Sequence, residues 1–219
     1  MSRTAVIIGD GEFPRKEYPR YLISSSDVIV CCDGAFRIWL RVCEKVCGGF
    51  RLPDAVVGDL DSLSPAIQRK YSSIMHHVEE QDDNDQTKAF RYILENYPDV
   101  DTIHIVAASG KREDHTIGNL SLLMEYTRCF DLGDKRVDMV SDWGTIFAIT
   151  DSCTLDVGEG RRFSLISPDN TLRVKSEGLQ WKTDDVVFDN WWKATLNRAT
   201  RDRVSLEFSH PSMALVFLD

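Results

Sequence analysis

The chain has 219 residues, 42% of them apolar and 28% charged, enough for a real hydrophobic core in one large domain or two small ones. Its net charge of −9 argues against nucleic acid as the main partner, because phosphate-backbone binding rests on Lys and Arg. A small anionic ligand is still compatible with that charge if a divalent cation supplies the missing positive charge.

The chain opens on a strand pattern at 4–9, TAVIIG, with no basic segment and long apolar run before it, so no signal peptide is expected. Further β-branched runs follow at 27–32, 54–58, 73–78 and 102–107. Between them the apolar spacing predicts helices over 35–47, 85–97 and 115–128. Strand–helix alternation at this spacing implies βαβ units and a mostly parallel sheet. After Leu132-Gly133-Asp134 the rhythm changes. Short strand-like runs at 136–141, 144–150, 161–166, 171–175, 184–188, 203–208 and 213–218 are punctuated by Gly, Asp, Asn and Pro. The expected fold is therefore α/β plus all-β. A Rossmann-like, mostly parallel sheet with helices occupies residues 1–133, and a small β-sandwich occupies 134–219.

No apolar stretch approaches the ~20 residues of a membrane span. Six cysteines show no CxxC pairing and no disulfide-scaffold density, which fits a reducing, cytoplasmic compartment.

Ligands of open parallel sheets bind outside the carboxyl ends of the strands. Four loops leave those ends here: Asp33-Gly34; Asp59, Asp61 and Ser62; Glu79 to Asp85; and Ser109 to His115. Seven acids but only two basic residues lie between Asp59 and Asp85. Clustered carboxylates raise one another's pKa unless a cation neutralises them. Asp-x-Asp at a strand end offers the hard oxygen ligands that Mg²⁺ uses, with substrate phosphate and water filling its other positions. Asp59 and Asp61 are thus expected to face Mg²⁺ carrying a nucleotide. A lone Asp-x-Asp more often shapes a turn, and an acidic helix start is often only dipole-favoured. The convergence of four loops on one edge is what favours a site.

Cations appear where phosphate needs them. Lys88 lies one helical turn after Asp85. Lys111 and Arg112 sit in the Gly110 loop, before a helix expected to start near Asp114. His115 and Asn119, four apart, share a face, and Asn84 is expected to cap its helix. Gly9-Asp10-Gly11 lacks the third glycine of a dinucleotide fingerprint and reads as a weak signal.

In this order the motifs resemble the thiamine pyrophosphokinase (thiamine diphosphokinase) family. They are Asp33-Gly34; Gly58-Asp59-Leu60-Asp61-Ser62; Glu80 to Lys88 (EQDDNDQTK); Gly110-Lys111-Arg112-Glu113-Asp114-His115 with Asn119; Gly178-Leu179-Gln180-Trp181; and His210-Pro211. Leu196-Asn197 stands where the family has Ser-Asn.

The resemblance implies a homodimer that moves the pyrophosphoryl group of MgATP to the thiamine hydroxyl, releasing AMP. The thiamine site would be shared between the α/β domain of one chain and the β domain of the other. On this reading Asp59, Asp61 and Asp85 hold Mg²⁺, with Asp33 and Asp82 nearby, and Lys88 and Arg112 steady the transferring group. Gly34, Ser62, Gln81, Gly110, Asp114, His115 and Asn119 shape the nucleotide pocket. Trp181 and Asn197 serve the acceptor. Trp191 and Trp192 offer ring faces for a cation, or simply strand core or a dimer contact. Rival readings are a pyrophosphokinase for another hydroxymethyl heterocycle of the pterin type, metal-dependent nucleic-acid chemistry, and a non-catalytic thiamine or nucleotide binder.

Overall fold

The structure is a computed structural model and describes residues 2–219. Two compact units divide the chain: residues up to Leu122 with Leu132–Asp142, and Leu123–Asp131 with Trp143–Asp219.

The first unit runs β1 (Thr4–Ile8), α1 (Glu17–Ser25), β2 (Val28–Cys32), α2 (Ala35–Cys47), β3 (Ala55–Gly58), α3 (Pro65–Lys70), β4 (Met75–His77), α4 (Asp85–Asn96), β5 (Thr102–Val106), α5 (Glu113–Cys129) and β6 (Arg136–Ser141). Helix α5 begins here and continues into the second unit. The strand order is β4-β3-β2-β1-β5-β6, and every pairing is parallel. Such a sheet is buried on both faces, so β2 (VIVCC) is buried at every position rather than at alternate ones. The order reverses between β1 and β5, which places the topological switch point, and a crevice, at their carboxyl ends.

Helix α2 coincides with the expected 35–47 range, because Ala35, Phe36, Trp39 and Cys43 form one buried stripe and Gly48 ends it in the left-handed conformation. Helix α4 starts where expected. The Asn84 side chain accepts from Thr87 N at 3.0 Å and caps it. Two short helices, α1 and α3, were not foreseen. Each carries proline in its first turn (Pro19 and Pro65), where a missing N–H is harmless but a sequence reading sees a breaker.

The run at 136–141, read with the β half, instead pairs in parallel with β5, from Thr102–Arg136 to Val106–Val140. Its partner is set by long-range topology, which local composition does not report.

The second unit contains β7 (Gly144–Ile149), β8 (Cys153–Asp156), β9 (Arg162–Ile166), β10 (Val174–Glu177), β11 (Ala194–Arg198), β12 (Arg203–Phe208) and β13 (Ala214–Leu218). They form two antiparallel sheets, β11-β9-β13-β7 and β10-β12-β8. Phe163, Leu165 and Val216 from one sheet share a core with Val174, Val204 and Leu206 from the other. The expected strand at 184–188 does not form. Phe188 is buried in that core from a loop, and packing alone accounts for its apolar neighbours. Strands β8 and β11 were not foreseen. A register shift between Ala194 and Asn197 breaks the alternation that marks a strand.

Candidate functional site

All the loops implicated by the sequence in the first unit meet at the carboxyl edge of its sheet. The loops after β1 and β5 lie against each other. Gly9 N donates to Val106 O at 2.9 Å and Gly11 N to Ala107 O at 2.5 Å. A Cβ on Gly11 would sit 2.4 Å from both Ala107 O and Ser109 O, so only glycine lets the two backbones approach this closely. Over these loops opens a cavity of about 340 Å³, within the usual range for small-molecule sites. Asp10, Gly34, Ser62, Asp85, Arg112 and Asn119 are among the residues that line it.

The acids gather on one side. Asp33, Asp59 and Asp61 offer carboxylate oxygens that all lie within 4.8 Å of one another. Asp33 is 1% exposed. Its Oδ2 accepts from Ser62 N at 3.1 Å, whereas its Oδ1 is buried without a hydrogen-bond partner among the described residues. Burial pushes the Asp33 carboxyl above its ordinary range. Asp59 is shifted the other way: the Asp61 amide, donating to Asp59 Oδ1 at 3.2 Å, and then the Gln81 amide, donating to Oδ2 at 3.3 Å, favour its charged form. Ser62 Oγ donates to Asp61 Oδ1 at 3.2 Å.

Asp85, at the first position of α4, stands beside this group. Burial pushes its pKa up to about 6, against the opposing pull of Lys88. Gly58 explains how Asp85 and Asp33 can stand so close. A Cβ there would be 2.8 Å from Asp33 Cβ and 3.0 Å from Asp85 Oδ1, and its φ of 155° is one that side chains rarely adopt. Among the described residues the trio within 4.8 Å includes Asp33, which the sequence placed only nearby, and not Asp85. Asp82 is exposed on the adjoining loop. Three carboxylates that can offer oxygens within 4.8 Å of one another, one of them also carrying a buried oxygen with no hydrogen-bond partner among the described residues, fit a hard divalent cation, because oxygen ligands of this kind are what Mg²⁺ takes.

Cations flank the pocket. Lys88, 4% exposed, lies with Nζ 3.8 Å from Asp85 Oδ1. Arg112 is exposed and held in a fork by Asp114, Nε donating to Oδ1 at 3.1 Å. That contact, with the His115 amide, brings the Asp114 pKa down to about 2. Asn119 ties the pocket wall together. Its Oδ1 accepts from Asn84 Nδ2 at 2.9 Å, and its Nδ2 donates to Ala108 O at 2.8 Å. His115 lines the cavity, and Gly110 packs its backbone against Glu12.

Asp10 was missed from sequence. Its carboxylate accepts from Lys111 Nζ at 3.0 Å and packs against Gly34 in the cavity wall. Its only signal was a short glycine-flanked loop after the first strand.

In the second unit, Asn197 is 5% exposed and clamps the Trp181 peptide. Its Oδ1 accepts from Trp181 N at 3.1 Å and its Nδ2 donates to Trp181 O at 2.6 Å, while the indole stays 56% exposed. Trp191 and Trp192 are exposed rather than core. Leu196 sits at φ 60° with its side chain outward.

Fold and edge together define a doubly wound α/β protein with an acid-lined, cation-flanked pocket at its switch point and an appended β unit. The description of the thiamin pyrophosphokinase catalytic domain matches residues 19–131, and that of the thiamin pyrophosphokinase substrate-binding domain matches 144–217. The chain belongs to the thiamin pyrophosphokinase family. Among curated relatives, thiamine pyrophosphokinase 3 of Oryza sativa subsp. japonica is 31% identical over 149 residues, and thiamine pyrophosphokinase 1 of the same plant is 28% identical over 149. Each alignment covers 61% of this chain and 53% of the relative, so the chain spans about half the length of the curated relatives it matches. Among solved structures, thiamin pyrophosphokinase from Candida albicans superposes with a TM-score of 0.74 at 19% identity, covering 99% of this chain and 88% of that one. The Bacillus subtilis enzyme gives 0.73 at 16% identity, covering 98% of each chain. At these identities the likeness shows a shared fold.

Proposed function

We propose that the protein is a thiamine pyrophosphokinase that transfers the pyrophosphoryl group of MgATP to the thiamine hydroxyl, giving thiamine diphosphate and AMP. The observation that carries this reading is the trio Asp33, Asp59 and Asp61 with its buried, partnerless Asp33 oxygen, set at the edge of a pocket flanked by Lys88 and Arg112. Family membership over both units supports the choice of acceptor.

Asp33, Asp59 and Asp61 would hold Mg²⁺, with Asp85 beside them. Bound there, the ion would neutralise ATP phosphate oxygens. The remaining demands of phosphoryl-type transfer are positioning and charge stabilisation. Lys88 supplies a buried ammonium to the transferring group, worth far more in this site than in water. Arg112, pre-set by Asp114, faces the phosphate of the departing AMP. The thiamine hydroxyl attacks the β-phosphorus in line with the bond to the AMP phosphate and gives its proton to a carboxylate of this edge. Ser62, Gln81 and Asn119 hold the loops that carry these groups. Trp181, clamped by Asn197, presents an open indole face suited to a cationic heterocycle. We place the enzyme in a reducing cytoplasm as a homodimer, a setting that suits its six free thiols. Among the described residues, no helix is long and apolar enough to cross a membrane.

The test is incubation of the purified protein with MgATP, with and without thiamine, followed by resolution of the nucleotide products. Thiamine-dependent AMP together with thiamine diphosphate is expected. ADP in place of AMP would sink pyrophosphoryl transfer, and AMP formed only with a pterin alcohol would reassign the acceptor.

A further inference from the structure

Of the seven acids from Asp59 to Asp85, two, Glu80 and Asp83, are drawn to Arg91 in the folded chain. Arg91, on α4, pairs with Asp83 through Nη2, and its Nη1 lies 3.9 Å from Glu80 Oε2. The Asp83 amide donates to Glu80 Oε1 at 2.5 Å, closing these three residues into one ring. The same helix pins the loop at both ends. Lys88 Nζ donates to Val78 O at 3.5 Å, and Asn84 caps the helix start. Between these anchors Gln81 is turned back over the β3 loop. Its Nε2 donates to Asp59 Oδ2 at 3.3 Å and to Glu79 O at 3.5 Å. Asp59 is thereby held at both oxygens: Oδ1 by its own loop through Asp61 N, and Oδ2 by the loop that Arg91 folds.

We propose that Arg91 is a positioning residue for the divalent-cation site, acting through the 79–84 loop and Gln81 to fix the Asp59 carboxylate. The proposal rests on reading Asp33, Asp59 and Asp61 as that site. Two physical effects of Arg91 have opposite sign, which makes the idea decidable. As a bare charge it lowers the negative potential of the edge and works against a cation. As a brace it holds a ligand in place, and partners that orient metal ligands are typically worth ten-fold or more in metal affinity.

Arg91→Met removes both effects. If the brace dominates, the variant binds cation more weakly; if Arg91 is only a charge, it binds more tightly. The measurement is calorimetric titration of nucleotide-free protein with Mg²⁺ or Mn²⁺ alone, backed by the cation-induced rise in melting temperature. The expected result for Arg91→Met is about ten-fold weaker binding. Gln81→Ala, which changes no charge at an exposed position, is expected to weaken binding several-fold, and Arg91→Met should add little in that background. Wild-type or tighter binding by Arg91→Met overturns the proposal. Should that variant fail to fold, unchanged binding by Gln81→Ala does the same. Asp61→Asn separates this inference from the one beneath it: if Asp61→Asn titrates like the wild type, the cation site itself is misplaced. If only the Arg91 and Gln81 variants do so, the site stands and the brace falls.

Discussion

Lys88 Nζ lies 3.8 Å from Asp85 Oδ1, and the lysine side chain is 2% exposed. A buried ammonium needs a partner, and here the partner is one turn back on the same helix, beside the acid trio. Removing the charge while keeping the stem, in Lys88→Met, is expected to lower kcat by about 10²–10³-fold, the range seen when one preorganised electrostatic group is lost. The KM for thiamine should change far less. A loss confined to KM would make Lys88 a structural partner of Asp85 only.

Asp85 carries a stability cost that depends on pH. Its ordinary value is 3.8 and burial, the largest cause, raises it to about 6 in the folded chain. Between those values the folded state holds a proton that the unfolded state has released, so stability falls as pH rises through that window. Above about 6 the full cost is present. The cation-free wild type should therefore lose stability between pH 3.5 and pH 7 relative to Asp85→Asn, which has no carboxyl to ionise there, whatever the variant's offset from losing the Lys88 partner. Added Mg²⁺ should reduce that loss at pH 7 by stabilising the carboxylate in the wild type. The same change of melting temperature with pH in both proteins without cation would contradict the burial argument.

The parts of this site that were legible in the sequence are those set by local rules. Asp33, Asp59, Asp61 and Asp85 follow strands recognisable from β-branched runs, and strand ends in a parallel sheet share an edge. Asn84 was legible as a cap because an Asn before an apolar-periodic stretch does little else. Asp10 and Arg91 were not. Asp10 gains meaning from the reversal of strand order between β1 and β5, which brings Lys111 to it. Arg91 reads as an ordinary surface position of α4 until the preceding loop folds back to place Glu80 and Asp83 against it. Strand β6 shows the same limit in the fold, since its parallel partner β5 is reached only after the whole of α5.

Gly58 is the position where the backbone makes room for chemistry. Ala at 58 meets Asp33 Cβ at 2.8 Å and Asp85 Oδ1 at 3.0 Å, with a φ of 155° that a side chain resists. Gly58→Ala is expected to cost about 1–3 kcal/mol of stability in denaturant unfolding, as overpacking does. It should also abolish the rise in melting temperature on adding Mg²⁺, because Asp33 and Asp85 must part. A stable variant that still responds to Mg²⁺ would show that their spacing is not critical.

In the second unit Asn197 fixes the Trp181 peptide on both sides and leaves the indole open. Such a clamp holds a ring without burying it, which suits a surface that must accept an aromatic cation. Trp181→Ala should raise the KM for thiamine by about ten-fold or more, from loss of stacking and cation–π contact worth ~1–2 kcal/mol. The KM for ATP should move little, because the acids, Lys88 and Arg112 that we propose for the nucleotide all lie in the first unit. Asn197→Ala, which frees the peptide but keeps the indole, should have a smaller effect in the same direction. Equal rises in both KM values for Trp181→Ala would place the indole outside the acceptor site. An effect of Asn197→Ala on stability alone, with thiamine KM unchanged, would reduce the clamp to a turn that happens to carry a tryptophan.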